Sequence, residues 1–292
     1  MGEEIIMKLR AYVREGQEHI GIERGDSIKE LEGVSNLVEL MVKLEKVRAR
    51  ERAGAIEELS GESYPLAALE AQSPIRETVK DVLCVGLNYQ DHVNESQSFG
   101  IGEDRSLVHT TYFGKRCDHI RGDGEKIRIH AKLDEEMDYE VELALIIGKG
   151  GKGISREDAL HHVFGYSIGN DFSSRALQRN HKQWLLGKGL DGYTAMGPCV
   201  LINEDDRHQD FDLSASVNGE VRQESNTRHL IKSLEEIIYE ISAGITLVPG
   251  DIIFTGTPAG VGGGFKPPRF LKAGDTVVLS IEGIGSLTSH IV

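Results

Sequence analysis

Alternation of apolar and polar positions is the dominant pattern along this chain. Lys8–Arg14 (KLRAYVR) and the run HIGIER alternate on either side of a turn at Glu15-Gly16, which predicts a hairpin over residues 7–24. The period then changes. Leu37, Met41, Leu44 and Val47 fall at helical spacing with Leu40 adjacent, and charged residues fill the other face. Asn36 is the expected N-cap, with Glu39 as its capping-box partner. This stripe predicts core or interface rather than chemistry. Gly61 to Pro74 (GESYPLAALEAQSP) breaks the pattern and reads as a linker. A boundary there divides the chain into a small N-terminal domain, residues 1–75, and a larger one, residues 76–292.

From Lys80 onward, short strands separated by glycine-rich turns are expected. VKDVLCVGL predicts a buried strand, and KIRIHAKL and YEVELALII predict two more. SREDALHHVFGY reads as a short helix capped by Ser155. Pro249-Gly250-Asp251 and Ala273-Gly274-Asp275 each open a β-branched run, the pattern of a turn feeding a strand. No long helix alternates with these strands, so the expected class is α+β, predominantly β, rather than a doubly wound parallel sheet.

Two glutamates interrupt one of these strands. Glu140 and Glu142 stand two apart, so their side chains share a face, roughly 6–7 Å apart at the backbone. With Asp171 in GYSIGNDFSSRALQ they form an all-oxygen set suited to Mg²⁺, Mn²⁺ or Ca²⁺. A solvated outer face of an antiparallel strand explains the same alternation without a metal. His92 and Glu95 stand three apart, a spacing that pairs them on a helix and allows Glu95 to orient His92 as a general base. Lys188 follows Trp184, the only tryptophan, and could stabilise a carboxylate or enolate. The run TGTPAGVGGG lacks a P-loop ending, yet its backbone N–H groups suit an anion, with Thr255 and Thr257 as further donors. Gly148, Gly150 and Gly153 form a literal dinucleotide fingerprint with Asp171 downstream. The two glutamates in the preceding strand argue against it, since a Rossmann first strand is almost continuously apolar.

The formal charge of −14 argues against phosphate-backbone binding, and hydrophobic residues at 39% suffice for a full core. Cys84, Cys117 and Cys199 are scattered without a paired motif, as expected in a reducing cytoplasm. Neither a signal peptide nor a membrane span is expected.

Taken in order, VGLNYQDHVNE, DYEVELALIIGKG, GYSIGNDFSSRALQ, QWLLGKGLDGY, VNGEVRQESNT, LVPGDIIFTGTPAGVG and LKAGDTVVLSIEGIGSL resemble the fumarylacetoacetate hydrolase family, from about Val79 to the C-terminus. The resemblance implies rolled mixed β-sheets with a small N-terminal α+β domain. It implies a homodimer carrying Mg²⁺ or Mn²⁺ (Ca²⁺ could replace them in a crystal). It places metal ligands at Glu140, Glu142 and Asp171, a lid dyad at His92 and Glu95, and substrate contacts at Arg175, Gln178, Lys188 and Thr257. The expected substrate is a small anionic oxo acid. The first expectation for the reaction is hydrolysis of a C–C bond in an acylpyruvate or 2,4-dioxo acid through a chelated enolate. Decarboxylation of an oxo acid, and isomerisation or tautomerisation of a 2-hydroxydiene acid of aromatic catabolism, use the same parts. A nicotinamide-dependent oxidoreductase and a non-catalytic metal-stabilised scaffold are the expectations from other classes. The chain departs from the family pattern at Gly189, often Ser, at TYFGKRC, usually a proline-containing FxKP-type run, and in FGIGEDRSLVHT.

Overall fold

The computed structural model describes residues 7–97, 100, 109–204 and 210–292. Its centre is an 11-stranded mixed sheet. From one edge the strands run Ser60–Pro65, Ser27–Leu31, Gln17–Arg24, Lys8–Arg14, Thr194–Ile202, Val163–Asp171, Val141–Ile147, Ile252–Phe254, Val82–Gly86 and Thr111–Lys115, with Glu70–Ala71 pairing off Lys8–Arg14. A second, five-stranded sheet is ordered Glu220–Asn226, Asp212–Val217, Thr276–Ile281, Gly285–Ile291 and Lys126–Ile127. Ile252–Phe254 pairs in parallel with Val82–Gly86, and Gly285–Ile291 with Lys126–Ile127; the other named ladders are antiparallel. This is the α+β, mostly β architecture expected of the chain.

The strand Val141–Ile147 explains why alternation was ambiguous. Val141, Leu143, Leu145 and Ile147 pack into the core between the sheets, beside Leu213, Leu279 and Leu287. Ala144 and Ile146 face the other way, into a second core with Leu9, Ile22, Leu40 and Phe254. Both faces are covered, so every residue of this strand is buried. Glu140 and Glu142 have the parity of Ala144, and are 4% and 2% exposed. The outward-facing, solvated alternative therefore fails. A polar residue in a strand covered on both faces needs partners, because an unpaired buried charge is costly.

Several local expectations hold. The hairpin forms, with Glu15 and Gly16 both at positive φ (55° and 77°), as its tight turn requires. Asn36 accepts from the Glu39 backbone N–H at 2.9 Å and starts the helix Leu37–Lys43. Others need correction. Glu39 reaches back to the Ser35 amide, not to Asn36, and the helix stops before Leu44 and Val47, which are nevertheless packed into or against the second core. The supposed linker takes in most of the strand Ser60–Pro65, paired with Ser27–Leu31, so turn-forming composition misled where a ladder satisfies the backbone. Only Lys126–Ile127 of KIRIHAKL is strand. Ser155 does not cap an α-helix: its hydroxyl accepts from Asp158 N–H at 3.2 Å, and a 3₁₀ turn, Ala159–His162, leads directly into Val163–Asp171. The glycines at 148, 150 and 153 lie between antiparallel strands, with Gly148 against Phe164 and Gly150 against Leu247, so no βαβ unit surrounds them.

Candidate active site

Strand register assembles the acidic cluster. Val141 lies opposite Asn170 and Glu142 opposite Gly169, and the Asp171 N–H donates to the Glu140 carbonyl at 3.1 Å. Asp171 is thereby fixed across the ladder from the glutamate pair. One carboxylate oxygen from each of Glu140, Glu142 and Asp171 lies within 4.8 Å of the others, and all three residues are buried. All three offer hard carboxylate oxygen, which fits Mg²⁺ or Mn²⁺ and not a soft metal.

Basic side chains surround this cluster unevenly. Lys188 ends the short helix Leu185–Lys188, and its Nζ donates to Glu140 Oε2 at 2.6 Å and Asp171 Oδ2 at 2.7 Å. Arg175 opens the helix Arg175–His181, capped by Ser174. Its guanidinium spans Asp138 (Nε to Oδ2, 2.8 Å), Glu140 (Nη2 to Oε1, 2.7 Å) and Gln178 (Nη1 to Oε1, 3.1 Å). Burial alone would raise the Glu140 carboxyl, but Lys188 and Arg175 outweigh it and hold that group well below the usual range. Burial would lower the Lys188 ammonium; Asp171 and Glu140 instead hold it above its ordinary value. Glu142 is pushed well above the carboxylate range by burial and by repulsion from Asp171 and Glu140. It accepts from the Gly256 amide at 2.5 Å. A divalent ion among these oxygens relieves that repulsion, so the residues present fit such a metal.

The His–Glu pair forms on the helix Gln90–Gln97: His92 Nδ1 lies 3.0 Å from Glu95 Oε2, and His92 is 5% exposed. His92, Arg175, Gln178, Lys188 and Thr257 join the acidic triad around one cavity of about 20 Å³. Val85, Gly86, Leu87, Phe113 and Trp184 complete its wall. Phe113 and Trp184 meet edge to face at 5.0 Å. Gly86 leaves room for the Trp184 ring, which an added Cβ would strike. Thr257 Oγ1 accepts from Gln223 Nε2 at 2.8 Å, so its own hydrogen can point elsewhere.

Some site residues carried no signal in the sequence. Lys115 is fully buried, pairs with Asp171 Oδ1 at 2.7 Å, and donates to the carbonyls of Phe172 (2.9 Å) and Lys188. It joins the strand that carries Asp171 to the short helix that carries Lys188. It lies within TYFGKRC, where only its departure from a family pattern was visible. Asp138 begins the quoted run DYEVELALII and accepts from the Gly262 and Gly263 amides at 2.6 and 2.9 Å, besides Arg175. The glycine-rich loop offers its N–H groups to anions within the protein rather than to the anionic ligand expected of it. Those anions are the protein's own carboxylates: Glu142, Asp138 and Glu95. Most of FGIGEDRSLVHT lies outside the described residues.

A mixed-sheet fold thus holds a buried carboxylate triad and a histidine–glutamate pair at one cavity. The model of the fumarylacetoacetate hydrolase C-terminal domain matches residues 81–292, and the chain belongs to that family. It is 41% identical over 240 residues to oxaloacetate tautomerase YisK of Bacillus subtilis, covering 80% of this chain and 77% of that protein. Among solved structures, fumarylacetoacetate hydrolase from Exiguobacterium antarcticum is 35% identical, with a TM-score of 0.82 over 98% of this chain and 99% of that one. The 2-hydroxyhepta-2,4-diene-1,7-dioate isomerase of Mycobacterium marinum is 30% identical, with a TM-score of 0.75 over 98% of each chain. Members of this family are enzymes. No helix among the described residues is long and apolar enough to cross a membrane.

Proposed function

We propose that the chain is a metal-dependent tautomerase or isomerase of a small 2-oxo acid, with oxaloacetate as the first substrate to test. The buried His92–Glu95 pair beside the acidic triad carries this reading. Similarity to a tautomerase and to an isomerase supports it, and moves it ahead of C–C hydrolysis, the first expectation from the sequence.

Glu140, Glu142 and Asp171 would hold Mg²⁺ or Mn²⁺, which supplies Lewis acidity and a template for the oxo acid's oxygens. Glu95 holds His92 Nδ1, which leaves Nε2 as the basic nitrogen of a neutral ring. His92 takes a proton from the carbon next to the carbonyl, or from the enol oxygen, and returns it at the other position. Glu95 stabilises the imidazolium between these events. Lys188 and the amide group of Gln178 stabilise the oxygen that gains charge, with the Thr257 hydroxyl as a further donor. Arg175 braces Glu140 and Gln178, because its nitrogens already face protein acceptors. A space of about 20 Å³ holds roughly one water, so an oxo acid enters only when the walls of the site open.

Hydrolysis of an acylpyruvate remains the second reading: His92 borders a water-sized space and could activate a water there. Stopped-flow ultraviolet absorbance of freshly dissolved enol oxaloacetate, with Mn²⁺, separates the two when run beside a panel of 2,4-dioxo acids. Accelerated ketonisation without dioxo-acid cleavage supports the tautomerase; cleavage without ketonisation replaces it with the hydrolase. A cytoplasmic homodimer, with residues 1–75 as an N-terminal unit that extends the sheet of 76–292, completes the proposal.

A further inference from the structure

The glycine-rich loop meets the His92 helix at one point. Glu95 uses its two oxygens differently: Oε2 orients His92, and Oε1 accepts from the Gly260 amide at 2.9 Å. The side chain then lies directly against Gly264. A Cβ built there would collide with Glu95 Cγ, Cδ and Oε1 together, so rotating the carboxylate alone would not clear it. The loop is itself pinned from below. Asp138 accepts from Gly262 and Gly263, Tyr139 Oη donates to the Gly260 carbonyl at 2.8 Å, and Gln223 Nε2 donates to the Pro258 carbonyl at 2.8 Å. Asp138 and Tyr139 immediately precede Glu140. The seat for Glu95 is thus built from the segment that carries the metal ligand.

We propose that Gly264 is a positioning residue: its missing side chain is the socket that seats Glu95 on the Gly260 amide and so sets His92 over the acidic triad. A larger residue there pushes Glu95 out and unseats the helix Gln90–Gln97, while the triad, held by strand register, keeps its geometry. The kinetic consequence rests on the proton-transfer role given to His92 above; the docking itself does not.

Hydrogen exchange read by mass spectrometry on Gly264→Ala, Glu95→Ala and their double variant tests the docking without any substrate. Gly264→Ala should speed amide exchange in 90–97 while leaving 141–147 and 163–171 as in the parent, and Mn²⁺ affinity from calorimetry should stay within about twofold. With oxaloacetate, each single variant should lose on the order of 10²-fold in kcat with little change in KM. The double variant should be no worse than Glu95→Ala, because both act through one contact. Unchanged protection of 90–97 in Gly264→Ala overturns the proposal, as do faster exchange throughout the chain or kcat losses that multiply. If Gly264→Ala does not fold, Glu95→Ala carries the test from the helix side, and unchanged protection there is equally fatal. Full kcat in Glu95→Ala together with loosened exchange would instead remove the dyad from the proposed reaction and leave the docking intact.

Discussion

Glu142→Gln isolates the one carboxylate whose charge the surrounding lysines and arginine leave least compensated. In the folded chain its carboxyl lies well above the usual range, first through burial and then through repulsion from Asp171 and Glu140. An acid raised on folding binds more protons folded than unfolded. Its contribution to stability is therefore fully present below the unfolded value and is lost as pH rises through the folded one. Gln keeps the shape and can still accept from Gly256, but carries no charge to lose. In chelator, the variant should melt above the parent at pH 8, and the gap should shrink toward pH 4.5. Glu140, whose carboxyl is lowered, loses its contribution only as pH falls below the ordinary carboxylate value, so it adds no slope above that range in either protein. Metal reverses the ranking. At one hundred times its Kd a ligand of the folded state adds about 2.7 kcal/mol, or roughly 5–10 °C for a chain near this size. The parent should gain this shift with Mn²⁺ and the variant should gain little of it. Differential scanning fluorimetry at several pH values, with EDTA or with Mn²⁺ set from a measured Kd, reads both effects. A variant that melts below the parent in EDTA at pH 8 refutes the charge assignment, and one that keeps the full Mn²⁺ shift refutes the ligand assignment.

His92→Ala should keep the parent's Mn²⁺ affinity in calorimetry while losing about 10²–10⁴-fold in kcat for oxaloacetate; undiminished turnover would remove it from the reaction. Lys188→Met should bind Mn²⁺ more tightly than the parent, because its ammonium shares the oxygens of Glu140 and Asp171 with the ion, and should lose turnover; weaker binding would count against that competition. Lys115→Met leaves Asp171 short of a buried partner and should cost about 3–5 kcal/mol in urea unfolding. Asn36→Ala, far from these groups in role, should cost only about 0.5–2 kcal/mol and leave Mn²⁺ affinity alone.

The parts of the site that depend on local spacing were legible in the sequence. Two residues apart on a strand puts Glu140 and Glu142 on one face, and three apart on a helix pairs His92 with Glu95. Alternation could not tell whether that strand face met solvent or a second core, because the cover comes from distant residues such as Leu9, Leu40 and Phe254. Lys115 was silent for a similar reason: a lone lysine in a short strand is usually exposed, and only the fold brings it to Asp171. Asp138 was hidden beside more conspicuous neighbours, since its partners are Arg175 and two backbone amides more than 120 positions away. The Gly61–Pro74 stretch misled because proline and glycine mark turns and sheet edges alike, and Ser60–Pro65 is an outermost strand.

The hydrogen bonding between Lys8–Arg14 and Thr194–Ile202 bears on how this enzyme can be handled. The N-terminal hairpin continues the sheet directly from the strand that lines up beside Asp171. A protein cut to begin at residue 81, where the family match starts, would leave the Val200–Leu201 end of Thr194–Ile202 without its neighbour, an apolar edge able to recruit another molecule's backbone. Recombinant versions shortened in that way should precipitate or self-associate, and chimaeras between relatives are better joined in a surface turn than at that border.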